Sequence, residues 1–249
     1  MGTVNSVCYD NQGKYLASSS SDLTIRIWDL NQFICIRTLY GHEHNVSDVK
    51  FMPSGDFLIS ASRDKTIKLW EIASGYCKRT YEGHDEWVKC IQVNSTGNLL
   101  ASGSSDQTVM LWNVENSVPQ QILRGHEHVV ECVVFGILGE KEKIQVVISG
   151  SRDKTIKVWN CNNGQLINTL IGHDNWVRQL SLHSSNKYIY SASDDKSIRV
   201  WDLEKFRPIR KFNEAHGHFI CCVQFNPKYL FLASCSVDTS IKIWDLKDY

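Results

Sequence analysis

The 249-residue chain has no run of apolar residues long enough to cross a bilayer as a helix, which takes about 18 in succession. Met1 is followed by Gly2, Thr3, Val4 and Asn5, not by a charged and then apolar leader. The reading is of a chain neither secreted nor inserted in a membrane. Charge of one sign is also missing: 27 Lys and Arg balance 27 Asp and Glu. That balance removes any global electrostatic reason to seek nucleic acid or an anionic membrane surface. The nine cysteines are odd in number and include no C-x-x-C pair, which speaks against a disulfide framework or a zinc ribbon and fits reduced thiols in the cytosol. An apolar share of 42% with 22% charged residues suits a globular chain that buries a substantial core.

What is present is repetition. Trp28, Trp70, Trp112, Trp159, Trp201 and Trp244 are spaced by 42, 42, 47, 42 and 43 residues, a period typical of radially repeated β units. Six residues before each lies Asp22, Asp64, Asp106, Asp153, Asp195 or Asp238, and four before each aspartate lies Ser18, Ser60, Ser102, Ser149, Ser191 or Ser234. His42, His84, His126, His173 and His216 precede five of the units, four of them 22 residues before their aspartate and His126 27 before. The five extra residues fall near Gly139-Glu140-Lys141-Glu142-Lys143, where a surface loop lengthens at little cost. Thr3 is expected where the first unit would carry its loop histidine.

Within one unit the pattern predicts four short strands, 46–51, 57–60, 66–70 and 76–81, separated by turns at Pro53-Ser54-Gly55, Arg63-Asp64-Lys65 and Ala73-Ser74-Gly75. A lone four-stranded sheet cannot bury both faces, so units stack radially. The expected fold is an all-β WD-repeat β-propeller, one domain over 1–249 with units at about 1–40, 41–82, 83–124, 125–171, 172–214 and 215–249.

The recurring histidine, serine, aspartate and tryptophan invite a hydrolytic reading, with Ser60 as nucleophile, His42 as base and Asp64 orienting it. Recurrence argues against it, because catalysis needs one site with its own oxyanion donors and pocket. No enzyme activity and no cofactor are expected. In WD-repeat proteins, which this pattern resembles, these residues form a buried hydrogen-bonded chain, and His42, Ser60, Asp64 and Trp70 with their counterparts in the later units are assigned to it. Three H-x-H pairs, His42/His44, His126/His128 and His216/His218, are conceivable metal ligands. The first histidine of each is already committed to its unit and no further ligand accompanies the second, so no metal is expected.

Function then rests on residues that vary at equivalent loop positions. The residue before the turn aspartate is Ser21, Arg63, Ser105, Arg152, Asp194 or Val237; three after the loop histidine come Asn45, Trp87, Val129, Trp176 and Phe219; five after come Ser47, Lys89, Glu131, Arg178 and Cys221. These loops are expected on one rim, which assigns Arg63, Lys89, Arg152 and Arg178 with Trp87, Trp176 and His128 to a partner-binding face, arginine and tryptophan being enriched at binding hot spots. The alternative is that the tryptophans plug the channel mouth and the arginines bond to neighbouring turns.

The segments Gly41-His42-Glu43-His44-Asn45-Val46, Ser60-Ala61-Ser62-Arg63-Asp64-Lys65-Thr66-Ile67-Lys68, Gly125-His126-Glu127-His128-Val129-Val130-Glu131-Cys132 and Gly172-His173-Asp174-Asn175-Trp176-Val177-Arg178 resemble the lissencephaly protein family across essentially the whole chain. The resemblance implies a regulator of cytoplasmic dynein that binds the motor domain through one propeller face, and a non-catalytic partner of platelet-activating-factor acetylhydrolase catalytic subunits. It implies a cytoplasmic location at microtubules and the centrosome, and dynein-facing roles for Arg63, Arg152 and Trp176. At Lys89 the family often has arginine, so the charge is kept and bidentate pairing is not. Family members carry an N-terminal dimerisation region and seven blades, whereas six units are expected here, the last without its outer strand. A WD scaffold or substrate receptor of another complex would share the blades but not these loops.

Overall fold

The computed structural model describes residues 2–139 and 142–246, so Glu140 and Lys141 of the expected insertion lie outside the described residues. The chain divides into two compact units, Met1–Ile122 and Leu123–Tyr249. Both are built from antiparallel sheets, and no helix occurs among the described residues. The first unit holds β1 (Val4–Tyr9), β2 (Tyr15–Ser20), β3 (Ile25–Asp29) and β4 (Ile34–Leu39) in one sheet; β5 (Val46–Phe51), β6 (Phe57–Ser62), β7 (Ile67–Glu71) and β8 (Cys77–Tyr81) in the next; and β9 (Val88–Val93), β10 (Leu99–Ser104), β11 (Val109–Asn113) and β12 (Pro119–Leu123) in a third. The second unit holds β13 (Val130–Leu138), β14 (Ile144–Ser151), β15 (Ile156–Asn160) and β16 (Leu166–Leu170), then β17 (Val177–Leu182), β18 (Tyr188–Ser193), β19 (Ile198–Asp202) and β20 (Arg207–Phe212), each as one sheet. Its last sheet has three strands among the described residues, β21 (Ile220–Asn226), β22 (Phe231–Ser236) and β23 (Ile241–Asp245). These six sheets are the blades of a WD-repeat β-propeller fold.

Strand boundaries in the second blade differ from the sequence expectation at four ends: β6 runs two residues longer, β7 is shifted by one at both ends and β8 starts one residue later. β6 runs on to Ser62 because its hydroxyl bonds the His44 carbonyl at 3.1 Å, and β7 starts after Thr66 because the Thr66 hydroxyl is held by Asp64 at 2.6 Å. The insertion in the fourth blade corrects the expectation of a longer loop: β13 and β14 have nine and eight residues where β5 and β6 have six each, with five residues between the strands in both blades, and the extra pairs, Gly136↔Val146, Ile137↔Gln145 and Leu138↔Ile144, continue the ladder. Thr3 corrects another expectation. Its carbonyl accepts the Ser21 N–H at 2.8 Å, as that of Asn45 accepts Arg63 N–H at 2.9 Å, so Thr3 occupies the place of Asn45 and not that of the loop histidine.

Alternation along each strand sends apolar side chains to both faces, and consecutive blades within a unit cover each other. Ala17, Ile25, Ile27 and Leu39 of the first blade share a core with Val46, Val49, Phe51, Leu58 and Trp70 of the second. Ile59, Ala61, Ile67, Leu69 and Tyr81 on the other face of the second blade meet Val88, Ile91, Val93 and Trp112 of the third. The second unit repeats the scheme, Val146, Ile148, Ile156 and Val158 packing on Val177, Leu180, Ile189 and Trp201. Burial at about 25 cal/mol per Å² of apolar surface is thus gained between blades more than within them.

Within the second to sixth blades runs a hydrogen-bonded chain. Trp70 Nε1 donates to Ser60 Oγ at 2.8 Å, Ser60 Oγ lies 2.7 Å from His42 Nε2, and His42 Nδ1 lies 2.7 Å from Asp64 Oδ2. The neutral imidazole with its proton on Nδ1 satisfies every member, since the serine hydroxyl then donates to Nε2 while accepting from the indole. The same chain recurs through His84, Ser102, Asp106 and Trp112; His126, Ser149, Asp153 and Trp159; and His173, Ser191, Asp195 and Trp201, with distances of 2.6–2.9 Å. In the last blade His216 and Asp238 are 3.0 Å apart, His216 and Ser234 2.7 Å, and Trp244 reaches Ser234 at 2.9 Å. In the first blade Trp28 bonds Ser18 at 2.9 Å without a histidine.

Asp64 also fixes its own turn, where Lys65 sits at a left-handed φ of 72°. That conformation costs a non-glycine residue roughly 1–2 kcal/mol. It is held by the Thr66 N–H on Asp64 Oδ1 at 2.9 Å, the Glu43 N–H on Asp64 Oδ2 at 3.0 Å and the Asp64 N–H on Ser62 Oγ at 3.1 Å. Ser60→Ala orphans both the Trp70 indole N–H and His42 Nε2, each costing about 1–3 kcal/mol, whereas Ser18→Ala orphans one indole. Thermal unfolding is expected to show the larger loss for Ser60→Ala, and equal losses would contradict this assignment of the chain.

Candidate functional site

The variable residues stand on the turns this network fixes. In five blades the residue before the inner strand accepts, through its carbonyl, the N–H of the residue before the turn aspartate: Asn45 from Arg63, Trp87 from Ser105, Val129 from Arg152, Trp176 from Asp194 and Phe219 from Val237, at 2.8–3.0 Å. Each loop is therefore clamped to the turn of its own blade. The Trp87 and Trp176 side chains meet residues of the blade before their own.

In the first unit Trp87 lies between two cations from neighbouring blades. The Arg63 guanidinium is 5.2 Å and the Lys89 ammonium 3.9 Å from its ring centroid. Its indole N–H donates to Ser47 Oγ, which fixes the ring plane. Arg63 is exposed, and Trp87 and Lys89 are half-buried. In the second unit Trp176 lies between Arg152 at 4.2 Å and Arg178 at 4.8 Å, with the exposed His128 ring 6.2 Å away. Each such contact contributes about 0.5–1 kcal/mol when exposed and about 2 or more when desolvated. The structure thus gathers the seven residues singled out from the sequence into two sets, one in each unit.

Two acidic residues that belong to the second set were not singled out. Arg152 Nε pairs with Glu131 Oε1, Arg178 reaches the same oxygen at 3.7 Å, and Arg178 donates to both oxygens of Asp194 at 2.8 and 2.9 Å. The Glu131 and Asp194 side chains are 8% and 4% exposed, so two buried carboxylates balance two arginines. Burial works against the Arg178 charge, but the bonds and field of Asp194 outweigh it and raise its pKa further. In the first unit the equivalent positions are Ser47 and Ser105, which are neutral. Two columns of the hydrogen-bonded chain were also missed. A serine stands two before every turn aspartate, from Ser20 to Ser236, and a threonine or serine two after, from Thr24 to Ser240; both were visible as repeats.

Among the described residues no group of three or more His, Cys, Asp or Glu is placed to hold a metal. The second members of the H-x-H pairs turn inward on their own loops: His44, His128 and His218 Nδ1 each accept the next residue's N–H at 2.8 Å.

Six segments, 1–29, 33–71, 75–113, 117–160, 164–202 and 206–245, match the family model described as "WD domain, G-beta repeat". The chain belongs to the WD-repeat family. It is 42% identical over 219 residues to the nuclear distribution protein PAC1 of Yarrowia lipolytica, covering 85% of this chain and 50% of that protein. A stretch of 55 residues is 51% identical to the nuclear distribution protein nudF of Aspergillus terreus, and a stretch of the same length 46% identical to the PAC1 of Coccidioides posadasii, each covering 22% of this chain and 12% of the relative. At its longest, the match takes in half the length of a curated relative.

The buried chain also sets the response to acid. Burial pushes the carboxyls of Asp64, Asp106, Asp153 and Asp195 up, but hydrogen bonds from the paired histidine and from the following Thr or Ser outweigh it and hold all four well below the usual range. Asp238 is held low chiefly by the Ser240 hydroxyl. Burial depresses the His173 imidazole below its ordinary 6.5 despite the pull of Asp195. Both kinds of group bind protons more readily unfolded, so both lose stability as pH falls. The unfolding temperature is expected to decline gently below pH 6.5 and steeply below the ordinary aspartate value of 3.8. In Asp64→Asn, already less stable at neutral pH, the acid limb should be shallower. An unfolding temperature that rises on acidification would contradict the assignment.

Proposed function

We propose that this chain is a non-catalytic protein-binding platform that regulates the cytoplasmic dynein motor domain, acting in the cytoplasm at microtubules and the centrosome. The observation that carries the binding reading is the Arg63–Trp87–Lys89 set, an indole flanked by two cations with Arg63 exposed. Such a set favours an acidic partner surface able to lay a carboxylate or a planar group against the indole. The nuclear distribution proteins among its relatives and the loop sequences shared with the lissencephaly family support dynein as that partner. Catalytic subunits of a platelet-activating-factor acetylhydrolase are a second partner on the same ground. Recurrence of the His–Ser–Asp arrangement in blade after blade supports a structural role for it and no turnover.

The test is binding of the purified chain to an isolated dynein motor domain. Arg63→Glu with Lys89→Glu is expected to weaken it by about tenfold or more, which is ~1.4 kcal/mol, while the reversal Lys143→Glu leaves it unchanged. An unaltered affinity in the double variant would remove the first set from the binding surface. Failure of the wild-type chain to bind, with the same set required for capture of another acidic protein, would favour a WD scaffold of a different complex.

A further inference from the structure

On the third residue of each inner strand the six blades carry Ser6, Asp48, Cys90, Cys132, Gln179 and Cys222, and the residues paired with them across the sheet are Ser19, Ala61, Gly103, Gly150, Ala192 and Cys235. The sixth blade alone among them sets two cysteines opposite each other. Directly opposed residues of an antiparallel pair project from the same face, so both thiols stand on one side of β21 and β22.

The fourth blade shows how close such a pair comes. Cys132 Sγ sits over Gly150, and a Cβ placed on Gly150 would lie 2.7 Å from that sulfur. In a disulfide the Cβ of one cysteine lies about 3 Å from the sulfur of the other, a separation set by the S–S bond of about 2.05 Å. The rotamer of Cys132, adopted at Cys222, brings its sulfur to bonding range of Cys235. Cys90 takes the same pose over its own partner, its sulfur 3.9 Å from the Gly103 carbonyl as that of Cys132 is from Gly150. Cys132 is buried beneath Val177 and Leu180 of the following blade. Cys222 and Cys235 are half-buried, and Ile241, paired with Cys235 on the next strand, is 75% exposed, so dissolved reagents reach this pair.

We propose that Cys222 and Cys235 form a redox-responsive dithiol, modified by a small-molecule disulfide of the glutathione type to give a cross-strand disulfide. One thiolate of the pair attacks a sulfur of the oxidant, breaking its S–S bond and releasing one thiolate that takes up a proton. The second protein thiolate attacks the sulfur of the mixed disulfide, forms the Cys222–Cys235 bond and expels the other oxidant thiolate. Two protein thiols are oxidised and one disulfide is reduced to two thiols. The bond would staple the strands that lead to the His216 loop and the Asp238 turn, where the histidine–aspartate distance of 3.0 Å is the longest of the five.

The experiment equilibrates the folded chain with oxidised and reduced glutathione, blocks remaining thiols and maps tryptic peptides by mass. Cleavage after Lys228 places Cys222 in Phe212–Lys228 and Cys235 in Tyr229–Lys242. The expected product is these two peptides joined with loss of two hydrogens, in the wild type and in Cys221→Ser, and absent in Cys222→Ser. A cross-link that persists in Cys222→Ser would assign the chemistry to Cys221. Glutathione retained on Cys222 or Cys235 without a cross-link, no modification of either, or a cross-link formed only under denaturing conditions would overturn the proposal.

Discussion

A serine hydroxyl shared between an indole and an imidazole holds the rest of this structure in place. It sits buried in the middle of the second to sixth blades and can neither turn away nor be solvated. Because it accepts from tryptophan and donates to histidine Nε2, it fixes the tautomer of the histidine, which in turn offers its one N–H, on Nδ1, to the turn aspartate. The aspartate then has the loop ahead of the blade on one oxygen and the following threonine or serine on the other. One buried group thereby sets the distance between a loop and a turn that lie more than twenty residues apart in the chain. A network of this kind contributes little net stability per bond and imposes a heavy penalty when one member is lost, so it specifies geometry more than it adds strength.

That rigidity explains how function is distributed. The positions flanking the network carry whatever the partner requires, because backbone hydrogen bonds and not side-chain identity hold them. Trp87 and Trp176 occupy the same slot in their blades, and each is met by an arginine from the blade before it and a cation two residues on. The two sets differ only in what lies beneath. Glu131 and Asp194 neutralise one, and serines stand in their place in the other. The second set is a preorganised stack whose arginines are already committed, while in the first Arg63 stands exposed. Similar sequence patterns thus give surfaces of different electrostatic character.

Most of the architecture was legible in the sequence because it is periodic. Tryptophan, aspartate, serine and histidine columns fixed the register, and the alternation between them located the strands to within a residue or two. Strand ends at Ser62 and Thr66 were misjudged because their hydroxyls are recruited by neighbours that a linear reading does not bring together. Thr3 was misplaced because the inner strands were not aligned: it stands 19 residues before Asp22, as Asn45 does before Asp64, whereas the loop histidine stands 22 before its aspartate. The tryptophan and cation positions of the proposed binding surface were visible as departures from the repeat. Their partners Glu131 and Asp194 stood in the same columns, yet nothing in a column shows that a residue of one blade lies over the turn of the next. The opposed cysteines were likewise hidden, since Cys222 and Cys235 pair only once the bulge in β21 sets the register.

The loops bearing Trp87 and Trp176 are those proposed to be covered by a partner. Amide hydrogen exchange of the chain with and without saturating dynein motor domain tests this most directly. Slowed exchange concentrated in Glu86–Lys89 and Asn175–Arg178, with the outer strands β4, β8 and β16 unchanged, is the predicted result. Protection confined to those outer strands, or none at either tryptophan loop in a bound complex, would contradict it.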